Sequence, residues 1–181
     1  MDESKNTSNY FHGRGAQVNP TNRFDKNSYS KDFPEMIDED ILKEEQTQYI
    51  EVFPKTIINK VESPDIPGMY SMNPYQGCEH GCLYCYARIT HEYWSYSAGL
   101  DFERKILVKK NAPELLEKTF LKKNWEPSPI MLSGNTDCYQ PIERKLEITR
   151  QILQICLRYK HPVSLITKNA LIIRDLDILN D

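Results

Sequence analysis

The sequence predicts an α/β fold built on a parallel sheet, and three observations carry that prediction. Short apolar runs at 105–109, 129–133 and 163–167 read as buried strands. Stretches with helical periodicity follow each of them, at 113–123, 141–159 and from 171 onward. The links between them are short turns. Strand and helix in alternation is the pattern of βα units, because parallel strands need a crossover. Right-handed crossovers then place every turn after a strand at one end of the sheet, where ligand sites of such folds lie.

Each element has its own local reason. Residues 1–48 form a polar extension rich in Asn, Ser, Asp and Lys. Ordering it would cost roughly 1–2 kcal/mol per residue of backbone entropy with little apolar area to offset that, so it is expected to be mostly disordered or draped over a surface. Residues 49–181 form the folded domain. It opens with a strand at Tyr49-Ile50-Glu51-Val52-Phe53. Pro64 and Pro67-Gly68 then mark a loop. A strand over 69–75 leads into a cysteine-bearing loop, and another follows at 105–109. The helix at 113–123 has Pro113 in its first turn and lysines at its end. After the strand at 129–133 comes a turn, Gly134-Asn135-Thr136-Asp137. One long helix is expected over 141–159, with Ile142, Leu146, Ile152, Leu153, Ile155, Cys156 and Tyr159 on its buried stripe. Glu143, Arg144, Glu147, Arg150, Gln154 and Arg158 would face outward. His161-Pro162 stops it. The strand at 163–167, a turn at Lys168-Asn169 and a last helix from Leu171 complete the series.

Composition narrows the function. The chain has 181 residues and 21.2 kDa, the size of one domain, with net charge −3 and a pI near 5.9. No overall attraction to nucleic acid follows from that charge. No run of about 18 apolar residues reads as a membrane span, and the first residues lack a secretory apolar stretch. Five cysteines, three of them clustered, do not suggest a disulfide framework, which places the protein in a reducing cytoplasm.

The clustered cysteines are Cys78, Cys82 and Cys85, spaced C-x3-C-x2-C within Asn73-Pro74-Tyr75-Gln76-Gly77-Cys78-Glu79-His80-Gly81-Cys82-Leu83-Tyr84-Cys85. Three thiolates this close suit three corners of a cubane iron–sulfur cluster and leave one iron open to a small molecule. An electron-transfer ferredoxin closes every corner with protein sulfur. Two alternatives stand beside this one: such a closed electron-transfer cluster, and a zinc-stapled binding module with a Cys3His shell completed by His80. Gly77 and Gly81 suit a chain wrapped closely around a metal group.

The spacing, with Tyr84 before the last cysteine, resembles the signature of the radical S-adenosylmethionine (SAM) superfamily. The nearer resemblance is to its branch around spore photoproduct lyase, carried by Gly13-Arg14-Gly15-Ala16 ahead of Asn19-Pro20, by the cysteine stretch, and by Gly134-Asn135-Thr136-Asp137-Cys138-Tyr139-Gln140-Pro141-Ile142-Glu143. The resemblance implies a partial (β/α) TIM-like barrel and a [4Fe-4S] cluster on Cys78, Cys82 and Cys85. It further implies SAM on the open iron, with Tyr84 near the adenine. The turn Ser133, Gly134, Asn135, Thr136 and Asp137 would contact the SAM amino group, and Thr167 and Lys168 its ribose or carboxylate. The activity implied is one-electron cleavage of SAM to a 5′-deoxyadenosyl radical acting on an unknown substrate, with a lyase-like reaction as the branch suggests. A low-potential donor of the flavodoxin or ferredoxin type would supply the electron. Nucleic acid enters as a substrate class by fold analogy alone.

This chain departs from the resemblance at Cys138, where relatives carry proline; its thiol is a candidate hydrogen-atom donor or radical quencher. For Gly134 to Asp137 the plainer alternative is a helix start capped by Thr136 or Asp137. Cys156 reads as core. The aromatic-rich segment His91-Glu92-Tyr93-Trp94-Ser95-Tyr96 reads as packing beside the cluster, with base stacking as the alternative. The family's core has six βα units and about three are found here. The chain is therefore expected to be truncated or one half of a split enzyme, with a C-terminal half elsewhere.

Overall fold

The computed structural model describes residues 10–24, 46–65 and 69–180. The disorder expected of 1–9 and 25–45, and the loop at Pro67-Gly68, lie outside the described residues. In chain order the strands are β1 (Gln48–Glu51), β2 (Ile58–Lys60), β3 (Tyr70–Met72), β4 (Tyr75–Gln76), β5 (Lys105–Val108), β6 (Ile130–Leu132) and β7 (Val163–Leu165). The α-helices are α1 (Leu100–Arg104), α2 (Ala112–Phe120), α3 (Glu143–Leu146), α4 (Ile148–Arg158) and α5 (Leu176–Leu179), with 3-10 helices at Tyr86–Trp94 and Ala170–Asp175.

A mixed α/β architecture results, with two mixed sheets. The larger runs β2-β3-β6-β7. Its last three strands are parallel, with Tyr70 opposite Ile130 and Ile130 opposite Val163, while β2 is antiparallel to β3. The smaller runs β1-β5-β4, parallel on one side of β5 and antiparallel on the other. Among the described residues the sheets do not close into a barrel.

The strand at 105–109 was expected in the parallel sheet, and β5 instead forms the smaller one. Ile106, Leu107 and Val108 are all buried, as the apolar run requires, but apolarity does not choose a partner. The partner is set just after β3. There Pro74, which lacks an N–H, ends the pairing with β6, and Tyr75 and Gln76 cross to Val108 and Leu107.

The core lies between the sheets and α2 and α4. Met72, Ile130, Leu132, Leu116, Ile152 and Leu153 are buried there, each contributing on the order of 1.5–3 kcal/mol by leaving water. Cys156 belongs to this core, as its place on the apolar stripe requires.

The single helix expected over 141–159 is two helices. Glu147 between α3 and α4 takes φ 52°, ψ 29°. The cause is Glu143, expected at the surface but wholly buried. Its carboxylate accepts from Thr149 N at 3.0 and 3.1 Å and from Arg150 N at 3.3 Å. Those amides have no partner within α4, so Glu143 acts as their cap. A continuous helix would carry the carboxylate away from them. Tyr159, at the far end, is 36% exposed and packs edge-on against Phe120.

Residues 10–24 form a strap across the segment 86–104. Leu100 N donates to Val18 O at 3.2 Å. Asn19 and Asp101 bond reciprocally at 2.8 and 3.0 Å, and Ser97 Oγ donates to Pro20 O at 2.7 Å. Phe24 stacks on Tyr93 at 5.1 Å. So part of the aromatic-rich segment packs on the strap, while His91 is buried between Tyr96 and Phe102. No helix among the described residues is long and apolar enough to cross a membrane.

Candidate functional site

Three turns meet at one end of the larger sheet: the cysteine loop, the turn after β6 and the turn after β7. Gly77 begins the cysteine loop at φ 82°, and a Cβ there would come within 2.9 Å of Lys105 O and 3.0 Å of Phe102 O. Only glycine fits so close to backbone with that sign of φ. Cys78 N then donates to Phe102 O at 2.8 Å, and the loop tightens again where Cys85 N reaches Cys82 O at 3.3 Å.

Side chains tie the loop to the other two turns. Gln140 clamps it, accepting from Glu79 N at 3.3 Å and donating to Gly77 O at 3.2 Å. Tyr86 OH donates to Gly134 O at 2.5 Å. Lys168 Nζ reaches Cys82 Sγ at 2.7 Å. Asp137 joins everything: its carboxylate accepts from Thr167 Oγ1 at 2.7 Å, Lys168 N at 3.2 Å and Tyr139 N at 2.8 Å. His80 Nε2 lies 3.3 Å from Asp137 Oδ2, close in distance but not aligned as a hydrogen bond. Burial alone would raise the Asp137 pKa, but His80, Thr167 and the backbone donors outweigh it and hold it below the usual carboxylate range.

The residues of the turn after β6 differ in what they leave available. Ser133 sits at φ 65°, and its Oγ accepts from Cys138 N at 2.8 Å. Asn135 N and Thr136 N both donate to Asn73 Oδ1, at 3.0 and 3.3 Å. Thr136 turns inward, with Oγ1 donating to Tyr75 O at 2.6 Å. The turn is not a capped helix start: α3 begins only at Glu143, with no side-chain cap. Tyr84 is 86% exposed. Cys138 lies fully inside the core, where burial pushes its thiol up to about 12.

Sequence reasoning assigned no role to Asn73, Gln140, Tyr86, Arg88, Glu103 or Lys109. Asn73 and Gln140 stand inside the motifs already singled out. Glu103 and Arg88 carry no signal of type or spacing. Lys109 is drawn in by donating to Asn73 O at 2.9 Å, and burial lowers its pKa to about 8.

All three loop cysteines are free thiols. Burial pushes the Cys78 thiol up to about 12, so its thiolate needs a cation beside it. Among the described residues no three His, Cys, Asp or Glu side chains converge to hold one metal ion. A cubane takes its ligands on separate vertices, so its sulfurs surround a volume instead of meeting at a point. Three free thiols on one glycine-hinged loop, with His80 turned toward Asp137, offer a donor set that fits three such vertices.

Several proteins are similar in sequence. An uncharacterized protein of Mycobacterium tuberculosis is 35% identical over 130 residues, covering 71% of this chain and 38% of the relative. An uncharacterized protein of Methanocaldococcus jannaschii is 34% identical over 114 residues, 62% of this chain and 40% of the relative. One of Acidianus two-tailed virus is 26% identical over 117 residues. The chain thus spans about two fifths of the length of the curated relatives it matches. No family model and no solved structure matches the chain.

Proposed function

We propose that the protein is a radical SAM iron–sulfur protein whose core is one side of an incomplete TIM-like barrel. One observation carries this reading. The loop bearing Cys78, Cys82 and Cys85 is fastened to the Asp137 turn and to the Thr167-Lys168 turn, at one end of the parallel strands β3, β6 and β7. The loop that carries the three sulfur donors therefore lies against two polar turns.

Bound there, a [4Fe-4S] cluster and SAM would supply one-electron cleavage of SAM to a 5′-deoxyadenosyl radical, the reductant being a low-potential flavodoxin- or ferredoxin-type donor. The chain's own part is to hold and orient. Cys78, Cys82 and Cys85 would be the cluster ligands. Lys168 lies beside Cys82, where its ammonium offsets thiolate charge. Gly134 O would be the carbonyl offered to the amino group of a ligand, Asn135 braces the turn by donating to Gln76 and Thr90, and Asp137 fixes Thr167 and Lys168 in register with the loop. Thr136 holds Tyr75 and supports the turn from below. Cys138, inside the core, packs and does not face the ligand.

Anaerobic reconstitution with iron and sulfide tests the reading. About four iron and four sulfide per chain, and 5′-deoxyadenosine released from SAM under dithionite, are the expected results. Stoichiometric zinc, or a reducible cluster indifferent to SAM, would overturn it.

A further inference from the structure

We propose that Glu103 is a positioning residue for the cysteine loop, tying the N-terminal strap and Arg88 to the backbone at Cys82. This deepens the reading of the site given above and rests on it for its relevance to catalysis.

Glu103 is at the end of α1, far in sequence from the strap and carrying no sulfur-binding group. Its side chain is completely buried, and every donor it meets leads to the loop. Oε2 accepts from Gly15 N at 3.0 Å and Oε1 from Ala16 N at 2.9 Å. Oε1 also pairs with Arg88 Nη2. Arg88 in turn donates from Nε and Nη2 to Cys82 O, at 3.2 and 3.0 Å, and from Nη1 to Gly99 O at 3.2 Å. One carboxylate thus links three segments that share no strand.

The strap itself touches the loop. A Cβ on Gly15 would lie 2.0 Å from Gly81 O, and one on Gly81 would lie 3.1 Å from Gly15 N. Gly81, the residue before Cys82, holds φ 62°. Two glycine backbones in contact leave no slack, so the strap fixes where Gly81 turns. Arg14 secures the strap from its other side, donating to Glu103 O at 2.9 Å and Thr47 Oγ1 at 2.8 Å. A buried charge held by three donors confines all of them.

The test begins with metal-free full-length protein, labelled with iodoacetamide and read cysteine by cysteine by mass spectrometry. Glu103→Gln is expected to raise the labelling of Cys82 and Cys85 by about tenfold, with Cys138 and Cys156 as protected as before. If Glu103 acts through Arg88, the double variant with Arg88→Gln labels no faster than the faster single variant. Gly15→Ala, which displaces the strap while the Glu103 side chain is retained, is expected to give the same pattern should Glu103→Gln not fold. In reconstituted protein Glu103→Gln is expected to shift the electron paramagnetic resonance signature of the reduced cluster, which a loss of stability alone would not do. Unchanged labelling, equal acceleration at all five cysteines, or additive effects in the double variant would overturn the proposal. Failure of both proteins to assemble a cluster would count against the functional reading, while the labelling would still decide this one.

Discussion

Asp175 and Glu143 are fully buried carboxylates that share Arg174, whose Nη2 reaches them at 2.7 and 2.9 Å. Each also holds a tyrosine: Tyr139 OH donates to Asp175 at 3.0 Å, and Tyr75 OH to Glu143 at 2.5 Å. Removing one partner strands buried charge, so Glu143→Ala should lower unfolding free energy by about 3–5 kcal/mol in urea titration. Burial would raise the Asp175 pKa, but the Arg174 and Arg150 hydrogen bonds outweigh it and bring it below 3.8. A depressed folded pKa contributes stability that is complete above the unfolded value and lost as pH falls through the folded one. The urea midpoint should therefore drop steeply below about pH 4, and Asp175→Asn should flatten that limb. A second titration comes from His91. Burial lowers its pKa to about 4 from 6.5, against an opposing pull from Asp101. The unfolded chain binds that proton first, so stability is full above pH 6.5 and declines progressively toward pH 4. His91→Phe should shrink the decline in that window, leaving the part that His161, lowered by its own burial, contributes. A midpoint that stays flat there in the native protein would show that His91 is not held neutral.

Elements were legible where apolar spacing alone decides them. Strands β3, β6 and β7, helix α2 and the core face of α4 fall close to where periodicity places them, because each needs only a buried stripe and a breaker. Their partners were not legible. Ile106, Leu107 and Val108 would suit either sheet, and the choice is made at Pro74 by the direction the chain leaves β3. The break at Glu147 was equally hidden, since Glu143 has the look of a solvent residue until its carboxylate is seen capping α4. Glu147 pays for that break by sitting in the left-handed region, which costs a non-glycine residue about 1 kcal/mol. Glu147→Gly should recover about that amount in chemical denaturation, since the ion pair it loses with Arg174 is long, at 3.7 Å. A destabilised variant would mean that the left-handed turn is not strained. The meeting of the three turns was readable from sequence order, because parallel strands send their following turns to one end. The clamps around them, Gln140, Arg88 and Glu103, were not, since nothing in residue type marks a side chain that bonds 61 or 88 positions away.

Across the whole molecule, the strap and the sheet margin set two different properties. Deleting residues 1–24 removes the strap's bonds to Glu103, Asp101, Ser97 and Glu92 at once. Differential scanning calorimetry of that truncation should show a melting temperature lower by roughly 2–4 °C for each kcal/mol lost, and an unchanged melt would make the strap ornamental. At the other boundary, β7 pairs only with β6 among the described strands, leaving Val163 to Leu165 with one row of backbone amides and carbonyls unclaimed by any described strand. Such a margin recruits further strands, including those of identical chains. Ser164 is exposed there, so Ser164→Lys offers a charge where a visiting chain would have to dock, and sedimentation velocity should then show less concentration-dependent association. Because β7 carries none of the three loop cysteines, solubility can be engineered along this seam while the cysteine loop is left as it is.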